Sequence, residues 1–412
     1  MTLLIVNISE LVVVPPGPVA GTEMDRIRRL PDAALLVEDG RIAWFGPSGD
    51  APSAPRTLDA QNGCVVPGLI DCHTHTVFAG GREAEFVQRV RGKTYHQIAE
   101  EGGGIRVTVE AVRRASQEVL ARLARPRVER MLRQGVTTVE IKSGYGLTPA
   151  DELKMLRAAR TLADQTPVEI VGTYLAAHTV PAEFAGRAED YLRVVCADEV
   201  LAEVRDQGLA EFCDVFCEQG AFNAAESRFA LEAGLRHGLR PRVHADQLSQ
   251  MGASRLAAEL GAVSADHLEF VDDGAIAALQ RSGTIPVLLP GCSFFLDTEP
   301  APARKLMDAG LPVAVATDFN PGSSMIESLP LVMSIACTRL RMTPTEALVA
   351  CTANAAAALA RRDRLGAIAV GYQADLVLLD VPNIDAWPYH MGRNCVRAVL
   401  KRGQVVGDGP PR

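Results

Sequence analysis

Short apolar runs alternate with longer segments of helical spacing through most of the chain, from about residue 67 to residue 362. Eight runs fit strands, and they are VVPGLIDCHTH, GVTTVEIKSGYG, VEIVGTYLAAH, FCDVFCEQG, RPRVHADQ, AVSADHLEF, TIPVLLPG and LPVAVATDFNPG. Between them lie helical segments such as PADELKMLRAARTLADQ. Eight alternating strand and helix units predict an α/β fold with a (β/α)8 TIM barrel. The competing doubly wound sheet would need G-x-G-x-x-G after the first strand, and that motif is missing there.

The two ends of the chain carry a different pattern, typical of hairpins. AALLVEDGRIAWFG predicts two strands joined at Asp39-Gly40, and TLDAQNGCVV predicts a second turn at Asn62-Gly63. Near the other end, ADLVLLD and VRAVLKRGQVVGDG predict strands, with a turn at Arg402-Gly403. Because small open sheets are only marginally stable alone, we expect one β-sandwich module made of residues 1–66 and 363–412, attached to a barrel of residues 67–362.

Composition places the chain among soluble globular proteins. Of its 412 residues, 48% are hydrophobic and 22% are charged, and the net charge is −8. The acidic balance argues against a nucleic-acid partner and against an anionic membrane surface. No run reaches the roughly 18 apolar residues of a membrane helix, and the nine cysteines lack the spacing of a disulfide framework. We expect a cytoplasmic protein with reduced thiols.

Five of the eight histidines fall at predicted strand ends, where barrel enzymes carry their chemistry, and they are His73, His75, His178, His244 and His267. His73 and His75 are two positions apart on one strand, so their imidazoles project to the same side. Two neutral imidazoles suit zinc or iron. His244 and Asp318 complete a candidate ligand set, although Asp318 is also a candidate N-cap of the next helix.

Several of these motifs resemble those of the amidohydrolase superfamily, and more specifically the imidazolonepropionase family. The similar segments are HTHTVFAGGREAEF, GGGIRVTVEAVRRAS, TTVEIKSGYGL, HADQ and ATDFNPGSS, and the resemblance covers essentially the whole chain. It implies hydrolysis of 4-imidazolone-5-propanoate to N-formimidoyl-L-glutamate in histidine degradation, by opening of the lactam C–N bond. It also implies one zinc or iron ion per chain, divalent or trivalent, a small anionic substrate and a homodimer. The ligands it implies are His73, His75, His244 and Asp318.

The same resemblance implies a set of substrate contacts, which are Arg82, Tyr145, His178, Gln247, Asn320, Gly322 and Ser323. The substrate's carboxylate explains the need for a guanidinium. The alternative for Arg82 is a surface ion pair with Glu83 or Glu85. Asn320, Gly322 and Ser323 are explained almost as well by a plain turn.

The residue at position 247 bears on proton transfer. Some members of the family carry Glu where this chain has Gln247, and an amide orients polar groups but cannot shuttle a proton. We therefore expect Asp318 to take the proton of the attacking water. His267 is expected to polarise the lactam carbonyl or to relay a proton to the leaving nitrogen.

Two other functions compete with this one. A related amidohydrolase could act on another cyclic amide or deaminate a heterocycle, but such a substrate without a carboxylate would not need Arg82. An inactive barrel that serves as a scaffold is disfavoured because all four metal-ligand positions are present. Lys142 could be carboxylated and bridge two metals, as in some amidohydrolases; we expect instead an inward lysine paired with Glu140 or Glu218.

Overall fold

The computed structural model describes residues 2–93, 97–98 and 101–408, and its centre is a parallel eight-stranded sheet. In chain order the strands are β5 (Leu69–Asp71), β6 (Val136–Lys142), β7 (Glu169–Ala177), β8 (Phe212–Cys217), β9 (Arg240–Ala245), β10 (Ser264–His267), β11 (Ile285–Leu288) and β12 (Ala314–Val315). Neighbours in the sheet are neighbours in the sequence. Most of their residues are buried, as expected for strands covered on both faces. The predicted TIM barrel is therefore confirmed.

Helices surround this sheet, and several begin at a side-chain cap, for example Thr148 and Asn223. The α-helices of the described residues are Glu83–Val90, Ile105–Arg114, Gln117–Leu132, Pro149–Gln165, Ala188–Val195, Asp198–Asp206, Ala224–Arg236, Ala253–Glu259, Asp273–Ser282, Pro290–Leu296, Ala303–Asp308, Leu329–Arg339, Pro344–Ala350, Ala353–Ala358 and Ala386–Tyr389. In the described part of the chain, none of these helices has the length and apolar character needed to cross a membrane.

The barrel closes where the segments after its first and last strands meet. Thr74 pairs with Phe319 in a parallel bridge. The His75 N–H donates to the Phe319 carbonyl at 2.9 Å, and the Asp318 N–H donates to the His73 carbonyl at 3.1 Å. Just before these residues in each segment, the Asp71 carboxylate accepts hydrogen bonds from the backbone N–H and the hydroxyl of Thr317, at 3.1 and 2.7 Å. This seam positions the candidate metal ligands directly.

A second sheet is built from both ends of the chain, as predicted. Its strands are β1 (Thr2–Val13), β2 (Arg28–Glu38), β3 (Arg41–Pro47), β4 (Thr57–Pro67), β13 (Leu376–Leu379), β14 (Val396–Lys401) and β15 (Gln404–Asp408), in the order β15-β14-β13-β4-β1-β2-β3. They form one continuous sheet, and residues from six of these strands pack into a separate hydrophobic cluster. The predicted module also includes residues 1 and 409–412, which lie outside the described residues. The division of the chain into domains at residues 66 and 363 stays a prediction.

Two of the three predicted turns are present in this sheet. Asp39-Gly40 joins β2 to β3 and Arg402-Gly403 joins β14 to β15, with positive φ at both central residues of each. The turn predicted at Asn62-Gly63 is wrong, because β4 runs through it as one strand. Gln61 and Asn62 have φ of 54° and 58°, and the pairing of β4 with β1 shifts register nearby. The positive φ angles thus produce an irregularity inside a strand and not a turn between two strands.

Candidate active site

The four predicted metal ligands meet at the C-terminal end of the barrel. One ligand nitrogen from each of His73, His75 and His244 lies within 4.8 Å of the others. Asp318 Oδ1 is 3.5 Å from His73 Nε2 and 3.6 Å from His75 Nε2. All four side chains are buried. The sequence separates these residues by up to 245 positions, and the barrel brings them to one point.

The chemistry of these side chains fits a metal ion. Among the described residues, His73 Nε2 and His244 Nε2 are buried and have no hydrogen-bond partner. Burial lowers the pKa of His73 and of His75 well below the usual range, so both imidazoles are neutral. Neutral imidazoles with unused lone pairs, together with one carboxylate, form a donor set that zinc and iron accept.

Carboxylates stand behind two of the imidazoles. His73 Nδ1 is 2.6 Å from Asp266 Oδ2, and His244 Nδ1 is 3.1 Å from Asp214 Oδ2. At His73 the Asp266 carboxylate accepts from Nδ1–H, which leaves Nε2 for the metal and fixes the orientation of the ring. Sequence reasoning missed Asp214 and Asp266. A charged residue inside an apolar strand, as in FCDVFC, was the available signal.

His267 lies beside this set, and a second carboxylate faces it. His73, His267 and Asp318 form another group whose ligand atoms lie within 4.8 Å of one another. His267 Nδ1 is 3.8 Å from Glu269 Oε2. Burial alone would lower the pKa of His267, but the neighbouring carboxylates of Glu269 and Asp318 raise it overall. Glu269 lies two positions further along the chain from His267 and is not among the residues predicted from the sequence.

The backbone is unusual at both of these polar residues. His267 has φ of 85° and Asp318 has φ of 52°, in the left-handed region that non-glycine residues rarely adopt. Such conformations concentrate at functional sites. The alternative interpretation of Asp318 as a helix N-cap is wrong, since the next helix begins at Leu329 and is capped by Ser328. Burial raises the pKa of the Asp318 carboxyl.

A cleft of about 850 Å³ opens above the metal ligands. It is lined by all seven predicted substrate contacts, which are Arg82, Tyr145, His178, Gln247, Asn320, Gly322 and Ser323. Apolar side chains such as Phe86, Phe216 and Phe295 line the same cleft. A concave site with an apolar wall and a few converging polar groups is typical of a small-molecule pocket.

Arg82 takes part in both of the arrangements considered for it. Its Nε and Nη2 atoms lie 2.8 and 2.7 Å from Glu85 Oε2, so the predicted alternative ion pair exists. The guanidinium nevertheless lines the cleft and is largely buried. Its Nη1 atom packs against Gly322, where an added Cβ would lie 2.2 Å away. Gly322 therefore leaves the space that the guanidinium occupies.

The other cleft residues form ordered contacts of their own. The His178 ring stacks on His75 with centroids 5.2 Å apart, and its Nδ1 lies 2.9 Å from the Gly144 carbonyl. Burial lowers the pKa of His178 to about 3, which leaves it neutral. Tyr145 contacts both of these rings. Gln247 Nε2 lies 3.6 Å from the Cys292 sulfur.

The turn after β12 is held by its own polar groups. Asn320 Oδ1 accepts from the backbone N–H groups of Gly322 and Ser323, both at 2.8 Å. Asn320 Nδ2 donates to the Asp318 carbonyl at 2.7 Å, and Ser323 Oγ donates to Asp318 Oδ2 at 3.3 Å. The turn interpretation is thus correct, and the turn also forms part of the cleft wall beside Asp318.

Lys142 is confirmed as an inward lysine paired with Glu140, at 2.9 Å. Glu218, the other predicted partner, instead accepts from the backbone N–H groups of Leu248 and Ser249. The second partner of Lys142 is Asp214, at 2.8 Å.

Comparisons with known proteins agree with this geometry. Residues 64–406 match the amidohydrolase family. The chain is 47% identical to the imidazolonepropionase of Myxococcus xanthus (strain DK1622) over 412 residues, covering 98% of this chain and 97% of that protein. It is 45% identical to the imidazolonepropionase of Shouchella clausii (strain KSM-K16), covering 95% and 89%.

A solved structure shows the same fold. An adenosine deaminase from Xanthomonas campestris with bound zinc superimposes with a TM-score of 0.71 at 21% identity, over 98% of this chain and 92% of that one. Family membership and the histidine cluster together indicate a metal ion. The chain belongs to the amidohydrolase family and, within it, to the imidazolonepropionases.

Proposed function

We propose that this protein hydrolyses 4-imidazolone-5-propanoate to N-formimidoyl-L-glutamate, a step of histidine degradation. One observation carries the proposal: three imidazoles and a carboxylate converge at the floor of a cleft whose wall presents Arg82. The floor suits hydrolysis of an amide bond, and the guanidinium suits the substrate's carboxylate. The net charge of −8 repels an anion at long range, so recognition of the substrate is local.

The metal would be held by His73, His75, His244 and Asp318, and we propose zinc or iron, one ion per chain. When bound, such an ion lowers the pKa of water to about 7 and polarises a carbonyl oxygen. The three nitrogen donors and one oxygen donor suit either metal. Asp266 and Asp214 hold two of the imidazoles from behind.

Two residues of the site are placed to transfer the protons that this reaction needs. Water adds to the lactam carbonyl carbon, the C–N bond breaks, and the released ring nitrogen becomes the terminal nitrogen of the formimidoyl group, which needs one proton. The Asp318 carboxylate lies beside the Nε2 atoms of His73 and His75, and it takes the proton of the attacking water. His267, which is raised in pKa by Glu269, donates to the carbonyl oxygen or to the leaving nitrogen. Gln247 lines the cleft and orients the ring through its amide.

The direct test supplies the imidazolone made enzymatically from urocanate and follows the loss of its ultraviolet absorbance. We expect turnover that a chelator abolishes and that zinc or iron restores. His267→Ala and Asp318→Asn should each lose at least about 100-fold in kcat, the lower end of the range for general acid–base catalysis. His237→Ala is the matched control, because His237 pairs with Asp198 away from the cleft.

Three results would contradict parts of the proposal. Near-full turnover of His267→Ala would remove the role given to that imidazole. Release of ammonia from nucleobases, with the imidazolone left untouched, would make the protein a deaminase of heterocycles instead. Metal analysis of the purified protein completes the test, and less than about a tenth of an equivalent of zinc or iron would contradict the metal site.

A further inference from the structure

A cluster of five charged side chains is buried beneath the candidate metal site. Its members are Glu140, Lys142, Asp214, Arg242 and Asp266, and each is at most 3% exposed. They come from four barrel strands, which are β6, β8, β9 and β10. Burying charges is costly unless they are paired. The cluster contacts the ligands without reaching the cleft, so the proposed chemistry does not account for Lys142 at its centre.

Lys142 lies between the carboxylates that support two of the metal ligands. Its Nζ atom is 2.8 Å from Asp214 Oδ2 and 3.9 Å from Asp266 Oδ2. Those same oxygens face His244 Nδ1 at 3.1 Å and His73 Nδ1 at 2.6 Å. One ammonium group therefore lies behind two pairs, the His244 imidazole with Asp214 and the His73 imidazole with Asp266.

Removing this ammonium would leave carboxylates facing one another at low dielectric. Glu140 Oε1 is also within 2.9 Å of Nζ, so three anionic groups surround one cation. Arg242 neutralises only part of this charge, through Asp266 at 2.9 Å. Mutual repulsion would displace Asp214 before Asp266, because Asp214 is in contact with the Lys142 ammonium whereas Asp266 is also paired with Arg242. A carboxylated lysine would add a fourth anion here, which argues against a metal-bridging role.

We propose that Lys142 is a positioning residue for the metal site. Its ammonium fixes Asp214 and Asp266 behind His244 and His73, so that both imidazoles present Nε2 to one ion. The proposal rests on the metal site of the proposed function. Metal affinity and activity would then both depend on a residue that is neither a metal ligand nor part of the cleft lining.

The test measures zinc affinity of the metal-free protein by competition with a chromogenic chelator, using zinc alone. Lys142→Met should weaken zinc binding by about 10- to 100-fold, the range for lost outer-shell partners. Lys401→Met is the matched control. Lys401 is also a buried lysine paired with a carboxylate, Asp375 at 2.7 Å, but it lies in the second sheet. Its loss should lower the Tm and leave the zinc Kd within twofold.

A second variant and a second readout protect the test from a folding defect. Lys142→Gln retains polar contacts and should also weaken zinc binding, by a smaller factor. Histidine ¹⁵N spectra of the metal-free proteins report which ring nitrogen carries the proton. We expect Nδ1–H at His73 and His244 in the wild type and a mixture of tautomers in Lys142→Gln, which a general loss of stability would not produce.

The outcomes separate this proposal from the proposed function. A zinc Kd within twofold of the wild type, in either folded Lys142 variant, overturns the role of Lys142 and leaves the metal site intact. A wild-type protein that binds neither zinc nor iron overturns the metal site itself, and the positioning role with it.

Discussion

Replacing Arg82 with methionine should remove discrimination for the substrate's carboxylate. Glu85 already holds the Nε and Nη2 side of the guanidinium, at 2.8 and 2.7 Å. Nη1 packs against Gly322, which also lines the cleft. We therefore assign one charge-assisted hydrogen bond to the substrate, and not a two-pronged contact. Such a bond contributes about 1.5–3 kcal/mol, which corresponds to about 10- to 150-fold in kcat/KM.

The assay compares the natural propanoate substrate with its neutral propanamide analogue on two forms of the enzyme. The wild type should prefer the propanoate by about 10- to 150-fold in kcat/KM, and Arg82→Met should have lost that preference. Arg89→Met is the matched control, because Arg89 lines the same cleft but lies over the Phe295 ring, 4.7 Å from its centroid. An undiminished preference in Arg82→Met, or its loss in Arg89→Met alone, would refute this reasoning.

Three further predictions concern Gly322, Glu269 and Glu169. Gly322→Ala should reproduce much of the loss of propanoate preference expected for Arg82→Met, since its Cβ would lie 2.2 Å from the guanidinium; kcat/KM of the variant for the propanoate and the propanamide checks this. Glu269→Gln should lower kcat at least about tenfold with little change in KM, because His267 loses the carboxylate that supports its role in proton transfer. Glu169, whose carboxylate is partly desolvated but paired with three cations, has its pKa lowered from 4.5 to about 2. Its stabilising contribution is therefore present above about pH 4.5 and is lost as the pH falls towards 2, so Glu169→Gln should lower the Tm more at pH 6 than at pH 3; an equal decrease at both would contradict this.

Much of the fold and the site could be predicted because both follow strong local patterns. The period of two places His73 and His75 on one side of a strand, and the barrel places strand ends together. The observed cluster of His73, His75, His244 and Asp318 follows from those two rules. Helix and strand alternation likewise predicts the parallel sheet, since each crossover must return the chain to the same edge.

The residues that support this site depend on contacts that no local pattern records. Asp214 and Asp266 are recognisable only once β8, β9 and β10 are placed side by side. The turn predicted at Asn62-Gly63 failed for a related reason. Its positive φ is local, but the parallel pairing of β4 with β1 keeps the strand continuous through it.

Barrel closure and metal-site assembly are one structural event in this protein. The backbone bonds of the seam join His73 to Asp318 and His75 to Phe319, so the ladder that closes the sheet runs between the ligands themselves. Asp318 adopts φ of 52° there, a strain on the order of 1–3 kcal/mol that the closed seam sustains. His244 lies on β9, across the barrel from this seam. An ion bound by all four residues would link three strands, and because it binds only the closed barrel, it would stabilise that closure.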